Sequence, residues 1–370
     1  MKNEETKSFK DLKHEVQDRG ICGQCGGCVS FCTAGDLHAL VLGSDGYPQL
    51  IDEEKCQKCG ICYLICPQID VLNDELSKKF TWVPPIGPNL VMASAQTTSS
   101  KIKEVCTDGG VVTSLLTYAF DNHIIDGAIV SRKIGPFVCE PVLVTQPEDL
   151  VETAGLHFNG SHHLDEIGKR YTTFSPTIQE VKDISNRGLS SIAVVGTPCQ
   201  IHTIRKMQLL HIIPADKIVL TIGLFCMENF SFDNWTREKL EQRLNIKLDN
   251  VMKLNIKDDV IINLDSGKTI HIPFEIVDEI ARPSCFACTD FANDYADISA
   301  GGLGSPDGYT TTVVRTSLGE RIYNGAKQKK YIRELKFKSK EDRIIHRTEM
   351  MAKIVSFIKR KQVRAQEHIA

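Results

Sequence analysis

Along most of this chain, short apolar runs alternate with stretches of helical period. DGAIVS (126–131), SSIAVVG (190–196) and DKIVLTIGLFC (216–226) read as buried strands. VVTSLLTYAFDNH (111–123) and NWTREKLEQRL (234–244) instead repeat their apolar positions at helical spacing. The alternation predicts an α/β domain with parallel strands. VMKLNIKDDVIINLDSGKTIHIP (251–273) breaks it, and predicts antiparallel strands joined at Asp265-Ser266-Gly267. Residues 340–368, KEDRIIHRTEMMAKIVSFIKRKQVRAQEH, have helical period with a basic C-terminal face. They predict a solvated terminal helix rather than one lying on a membrane.

The front of the chain has another texture. HALVLGSDGYPQLI (38–51) alternates apolar residues around Asp45-Gly46, a hairpin signal. TWVPPIGPNL (81–90) holds three prolines and a glycine and reads as a linker. The expected division is a small unit over 1–80, a linker over 81–91, a large domain over 92–325 and a helical extension over 326–370. With 370 residues, 42% of them hydrophobic, there is material for one large and one small domain. A net charge of −3 gives no reason to expect a nucleic-acid partner. The opening MKNEETKSFKDLKHEVQDRG has no apolar segment of the secretory kind. IVLTIGLFCM (218–227) is far shorter than the roughly 20 residues that span a bilayer. Fourteen cysteines without a secretory signal then suggest a soluble chain in a reducing, cytoplasmic compartment.

Eight of those cysteines fall in two runs. ICGQCGGCVSFC (21–32) carries Cys22, Cys25, Cys28 and Cys32; KCQKCGICYLICP (55–67) carries Cys56, Cys59, Cys62 and Cys66, each 34 residues after its counterpart. Only the second run ends in proline, Pro67; the first continues with Thr33. The spacing is that of the bacterial-type 4Fe–4S ferredoxin, whose fourth cysteine ligates the other cluster. One cluster would use Cys22, Cys25, Cys28 and Cys66, the other Cys56, Cys59, Cys62 and Cys32. Three thiolates reach one cube only if the backbone between them is tight, which Gly23, Gly26, Gly27 and Gly60 allow. Structural zinc takes separated pairs rather than runs of four, so iron–sulfur is the reading preferred.

A second constellation is less local. Cys199 in AVVGTPCQ and Cys226 in LTIGLFCMEN each follow a strand-like run, and PSCFACTDF adds Cys285 and Cys288. Ligands of open α/β sheets sit at the carboxyl ends of parallel strands, where these cysteines could share one site. A third cluster, a zinc ion, and a redox Cys-x2-Cys beside two inert thiols all remain open on these residues alone. Cys106 and Cys139 read as ordinary buried cysteines. CTDGGVVTSLL (106–116) reads as a helix start, with Asp108 as the cap and Gly109-Gly110 leaving room beside the first free amides.

Taken in order, TDGGVVTSLL, GKRYTTFSP, VVGTPCQI, GLFC, CFACTDF and ADISAGGLGS resemble the β-subunit family of coenzyme F420-reducing hydrogenases and F420H2 dehydrogenases. The likeness runs from about residue 92 to residue 320. With its two front runs, the chain is similar to the input subunit of F420H2 dehydrogenase and to the β subunit of F420-dependent formate dehydrogenase. The fold class implied is an α/β flavin domain on a mixed (α+β) sheet, preceded by a small ferredoxin-like α+β domain with two cubane clusters. The cofactors implied are FAD and three 4Fe–4S clusters, with coenzyme F420 as substrate. The resemblance assigns the third cluster to Cys199, Cys226, Cys285 and Cys288. It assigns FAD contacts to Gly109, Gly110, Tyr171, Thr172, Thr197, Pro198, Gln200, Gly301 and Gly302.

Lys169 departs from the small residue expected in the family's stretch there. Lys169, Arg170 and Arg282 are the candidates for holding the acidic deazaflavin tail; no catalytic acid or base is assigned. The chemistry implied is hydride transfer between deazaflavin and FAD, with single electrons relayed through the clusters to or from a partner subunit. That partner would belong to a larger complex of the F420H2 dehydrogenase, formate dehydrogenase or heterodisulfide reductase type. Such a complex, in the setting of methanogenesis, could hold the chain at the inner face of a membrane. The alternatives are a ferredoxin-dependent reductase of another substrate, as in 7-hydroxymethyl chlorophyll reductase, and a non-catalytic polyferredoxin subunit.

Overall fold

The apolar runs that read as buried strands lie side by side at the centre of one sheet. The computed structural model describes residues 6–135, 138–154, 171–172, 177–184 and 187–369. In chain order its strands are β1 (Leu40–Leu42), β2 (Pro48–Leu50), β3 (Val91–Thr97), β4 (Gly127–Gly135), β5 (Val138–Val144), β6 (Tyr171–Thr172), β7 (Ile192–Gly196) and β8 (Ile218–Leu224). There follow β9 (Ser231–Phe232), β10 (Val251–Ile256), β11 (Val260–Leu264), β12 (Thr269–Ile272), β13 (Ile298–Gly301), β14 (Thr310–Val314) and β15 (Ile332–Glu334).

Ten of them form one mixed sheet in the order β15-β3-β14-β13-β8-β7-β4-β5-β6-β9. Its centre, β4, β7, β8 and β13, is parallel. Because β14 is antiparallel to both β13 and β3, β3 runs in the same direction as β13. β7 is buried along its whole length, as expected of a parallel strand covered on both faces. Ala193 and Val195 join the core under the helices Val111–Asp121 and Ser317–Gln328; Ile192 and Val194 join the opposite one.

That opposite core also takes in the front of the chain. Ile65 is packed with Ile178, Ile201 and Ile204, with Cys25, Phe31 and Ile61 against them. In return Ala287, between Cys285 and Cys288, sits in the core that Phe9, Leu12, Val16 and Leu40 build around the β1–β2 hairpin. The hairpin turns at Gly46, whose φ of 79° suits glycine.

Four expectations change. The 251–273 stretch turns at Asp265–Gly267 as expected, but a further turn at Lys257–Asp259 makes it three antiparallel strands. The proline-rich stretch is fastened rather than free. Trp82 Nε1 donates to Asp294 Oδ2 at 2.9 Å, and Arg315 Nη1 donates to the carbonyls of Ile86 and Pro88. The expected boundary at 325 falls inside the Ser317–Gln328 helix, and β15 beyond it pairs with β3. The terminal helix, Lys340–Ile369, buries Met350, Ile354, Phe357 and Ile358 in the core of the three-stranded sheet, so one face of it is not solvated.

Asp297 ties these layers together. Its Oδ2 accepts from Arg205 Nη2 at 2.9 Å and from Thr221 N at 2.8 Å, and its Oδ1 accepts from Thr316 Oγ1 at 2.7 Å. The ion pair is almost wholly buried, so Asp297→Ala strands the Arg205 guanidinium. The expected cost is about 3–5 kcal/mol, read from urea unfolding by tryptophan fluorescence; Arg205→Met with Asp297→Leu should recover most of it. Equal loss in the single and double variants would show that shape, not charge, matters at this junction.

Candidate functional site

The two cysteine runs build the same loop twice. Gln24 and Lys58 both take positive φ, as do Gly26 and Gly60, at the same 34-residue offset. Gly26 and Gly60 then start the helices Gly27–Ala34, with Cys28 and Cys32, and Ile61–Leu64, with Cys62 and, two residues past its end, Cys66. A left-handed residue at that point turns the chain so that three thiols face one side. Two cavities result. One, with about 360 Å³ of unfilled space, is lined by Cys32, Cys56, Cys59 and Cys62. The other, with about 420 Å³, is lined by Cys22, Cys25, Cys28 and Cys66, with Cys62 at its edge.

Burial raises five of these thiols, those of Cys22, Cys25, Cys28, Cys62 and Cys66. Cys22 is pushed up to about 11 and Cys62 to about 12; Cys28 and Cys66 are also raised, mainly by burial and further by neighbouring cysteines. Thiols so placed release their protons only to a strongly electrophilic partner, as metal-binding thiols do. Among the described residues, no three His, Cys, Asp or Glu side chains converge as the ligands of a single ion do. The thiols line volumes instead, the arrangement a box-shaped cluster fits.

The second constellation forms at the carboxyl edge of the large sheet. Cys199 follows β7 and Cys226 follows β8, as open α/β sheets arrange their sites. Cys285 lies in the short helix Pro283–Phe286 and Cys288 follows its C-cap Ala287; Cys226, Cys285 and Cys288 are within electrostatic reach of one another, and Cys199 of Cys226 and Cys288. Burial again raises Cys199, Cys285 and Cys226, the last to about 12. Asn229 Nδ2 donates to Cys226 Sγ at 3.3 Å, and Asn229 N to Cys285 Sγ at 3.4 Å. Sequence reasoning gave Asn229 no role.

One helix joins the two bodies. Pro198–Leu209 presents Cys199, His202, Thr203 and Lys206 at helical spacing on a single face. Thr203 Oγ1 donates to the Cys199 carbonyl at 2.9 Å and lies 3.8 Å from Cys25 Sγ. His202 Nε2 bonds Asn73 Oδ1 at 3.0 Å, and burial holds the ring neutral, down to about 3. Lys206 Nζ donates to the carbonyls of Cys66, at 2.9 Å, and Ile69. Burial lowers its ammonium to about 8, against the pull of Cys66. Arg282, a candidate for the deazaflavin tail, is instead buried at this seam: its Nη2 donates to Gly23 O at 2.8 Å and Gln24 Oε1 at 2.7 Å.

The expected flavin contacts gather at the same sheet edge. Thr197 N donates to Gln200 Oε1 at 2.9 Å, so the buried Gln200 closes the start of the Pro198–Leu209 helix. A side chain on Gly109 would meet the Ala95 carbonyl at 2.5 Å, and one on Gly301 the Phe225 ring at 2.4 Å. On Gly110 it would meet Ile102 at 2.7 Å, and on Gly302 Asp108 at 2.9 Å. These glycines allow protein to pack on protein, which corrects the expectation that Gly109-Gly110 leave ligand space.

Asp108 is likewise not the helix cap; Gly110 is, and among the described residues no side-chain cap bond closes the start of Val111–Asp121. Asp108 accepts from Asn255 Nδ2 at 3.0 Å, and burial raises it while Lys257, Lys253 and Lys133 draw it down. Lys257 is itself paired with Asp307 at 2.7 Å, so this corner beside the helix start mixes three lysines with two carboxylates. Cys139 is buried beside Lys133 as expected, whereas Cys106 is only half-buried, its thiol 3.0 Å from Asp108 O. Tyr171 and Thr172 form β6, while Lys169 and Arg170 lie outside the described residues.

Comparison with known proteins agrees with this architecture. Residues 92–167 match "Coenzyme F420 hydrogenase/dehydrogenase, beta subunit N-term" and residues 189–340 match the corresponding C terminus. Residues 50–68, with Cys56, Cys59, Cys62 and Cys66, match a 4Fe–4S binding domain. The coenzyme F420 hydrogenase subunit beta of Methanosarcina barkeri is 31% identical, over 66% of this chain and 80% of that protein. A coenzyme F420-dependent sulfite reductase of Methanocaldococcus jannaschii is 31% identical over 85% of this chain; the chain spans 47% of its length. A chain of the solved F420-reducing [NiFe] hydrogenase complex from Methanosarcina barkeri superposes with a TM-score of 0.63 at 28% identity, covering 77% of this chain and 92% of that one.

The fold and the 4Fe–4S match define an iron–sulfur protein of the electron-transferring, oxidoreductase class. The chain belongs to the coenzyme F420 hydrogenase/dehydrogenase beta-subunit family.

The seam between the two bodies is tight enough to test. A methyl group on Gly27 would stand 2.4 Å from Thr203 Cγ2. Gly27→Ala should cost about 1–3 kcal/mol by overpacking, and Thr203→Ser, which removes that methyl, should restore most of it. Thermal unfolding of the two single variants and the double variant measures the coupling; strict additivity would mean that the contact relaxes freely.

Proposed function

We propose that this chain exchanges hydride between coenzyme F420 and FAD and passes single electrons through three 4Fe–4S clusters to or from a partner subunit of a larger redox complex. The observation that carries the reading is the contact Cys199–Thr203–Cys25, which brings the sheet-edge cysteines against the front cavities. In this reading Cys22, Cys25, Cys28 and Cys66 hold one cluster, Cys32, Cys56, Cys59 and Cys62 the next, and Cys199, Cys226, Cys285 and Cys288 the third. The two lined cavities support the first two sets, and the mutual proximity of the four sheet-edge thiols supports the third.

When bound, FAD supplies the step between hydride chemistry and one-electron chemistry, which deazaflavin and cluster cannot perform on each other directly. This chain's residues fix where that happens. The uncapped amides at Gly110–Val111, with Lys133, Lys253 and Lys257, receive an anionic portion of the flavin or deazaflavin. The Thr197–Pro198–Gln200 turn and the backbone of Gly301–Gly302 border it at the strand ends, and β6 with Tyr171 and Thr172 lies farther along the sheet. Cys59 is the exposed member of its set, which makes that side of the front unit the face toward the partner. No helix among the described residues is long and apolar enough to cross a membrane.

Anaerobically purified protein is expected to hold about 12 iron atoms per chain, four for each of three groups, with one FAD that reduced F420 bleaches. Cys22→Ser and Cys66→Ser should alter the same electron-paramagnetic-resonance signal; Cys32→Ser and Cys56→Ser should alter the other front signal. Iron near eight with Cys199→Ser silent would remove the third cluster. Pairing of Cys22 with Cys32 in the spectra would overturn the crossed ligand sets, and absence of bound flavin would reduce the chain to an electron carrier.

A further inference from the structure

The terminal helix carries an ammonium group into the sheet-edge cysteine group. Lys361 lies on the buried stripe with Ile354, Phe357, Ile358 and Ala365 and is 1% exposed. Its Nζ donates to the Cys226 carbonyl at 2.6 Å and to the Asp290 carbonyl at 2.9 Å. One turn on, Arg364 Nη1 bonds Glu228 Oε2 at 2.5 Å, and its Nη2 reaches the carbonyls of Met227 and Cys285. Glu228 is thereby paired with Arg364, and Lys361 faces Asp290 as well as the thiols of Cys226, Cys285 and Cys288. The family match ends at residue 340, so all but the first residue of this helix lies beyond it.

We propose that Lys361 is a positioning residue that sets the reduction potential of the cluster held by Cys199, Cys226, Cys285 and Cys288, favouring its reduced form. The inference rests on the cluster reading given above. Reduction adds one electron and no proton to a group already negative through four thiolates, and a buried cation favours the more negative state in a low-dielectric site. The two carbonyl bonds fix the ammonium in place and clamp the Cys226 loop to the Asp290 loop. Removing the charge while keeping a donor should therefore lower the potential without dismantling the group.

The test is a dithionite redox titration of the full chain, followed by electron paramagnetic resonance with iron analysis alongside. Cys226→Ser identifies the signal that belongs to this group. Lys361→Gln is expected to retain its iron and to make that cluster about tenfold harder to reduce, a fall of about 59 mV for one electron. Lys361→Arg and the exposed Lys353→Met on the same helix should leave it in place. An unmoved midpoint in Lys361→Gln, with iron intact, overturns the proposal. If Lys361→Gln loses iron while Lys361→Arg keeps both iron and potential, the charge is needed to hold the group and the proposal stands in that stronger form; if both lose iron, Lys361 is structural and the proposal falls. Absence of a Cys226-dependent signal in the unaltered chain would sink the cluster reading itself, a result distinct from all of these.

Discussion

A single helical face holds the molecule's two bodies in register. Cys199, His202, Thr203 and Lys206 follow one another up the Pro198–Leu209 helix. The first belongs to the sheet-edge group, and the other three touch Asn73, Cys25 and the Cys66 loop. Such a face cannot slide, because Gly27 has no side chain where Thr203 presses against it. The helix in turn is fixed through the Arg205–Asp297 pair to β8 and β13, whose ends form the site. Register between the bodies and register within the sheet are therefore one constraint.

The seam also explains where the buried charges lie. Lys206, Lys361 and Arg282 are all nearly inaccessible, and each donates to backbone carbonyls of a cysteine loop: Cys66 and Ile69, Cys226 and Asp290, and Gly23. A buried cation costs desolvation that carbonyl bonds offset only in part. The charge is tolerable beside groups that become anionic once their thiols ionise.

What the sequence disclosed depended on how local each feature is. The two cysteine runs, the hairpin at Gly46 and the strands leading to Cys199 and Cys226 are written in spacings of a few residues, and each was readable. Lys206 and Lys361 were not: a lysine in a helical pattern reads as a solvated position, and only tertiary packing turns it inward. The Trp82–Leu90 stretch looked like a linker because its prolines dominate, whereas Arg315, more than two hundred residues away, pins it. Gly109 and Gly110 were correctly singled out for close approach, but what approaches Gly109 is the Ala95 carbonyl and the Thr310 backbone. No local pattern names the partner of a glycine.

The shared cores bear on how such chains can recombine. Ile65 of the front unit fills a place among Ile178, Ile201 and Ile204, and Ala287 of the large domain fills one among Phe9, Leu12 and Val16. Each body lends a residue to the other's interior. Grafting a foreign carrier unit ahead of residue 92 would leave a hole in one core and an unhoused side chain at the other, even with every cysteine kept. Exchange between lineages or in the laboratory would therefore have to move these reciprocal residues as a set, so the front unit is heritable together with its socket rather than as an interchangeable cassette.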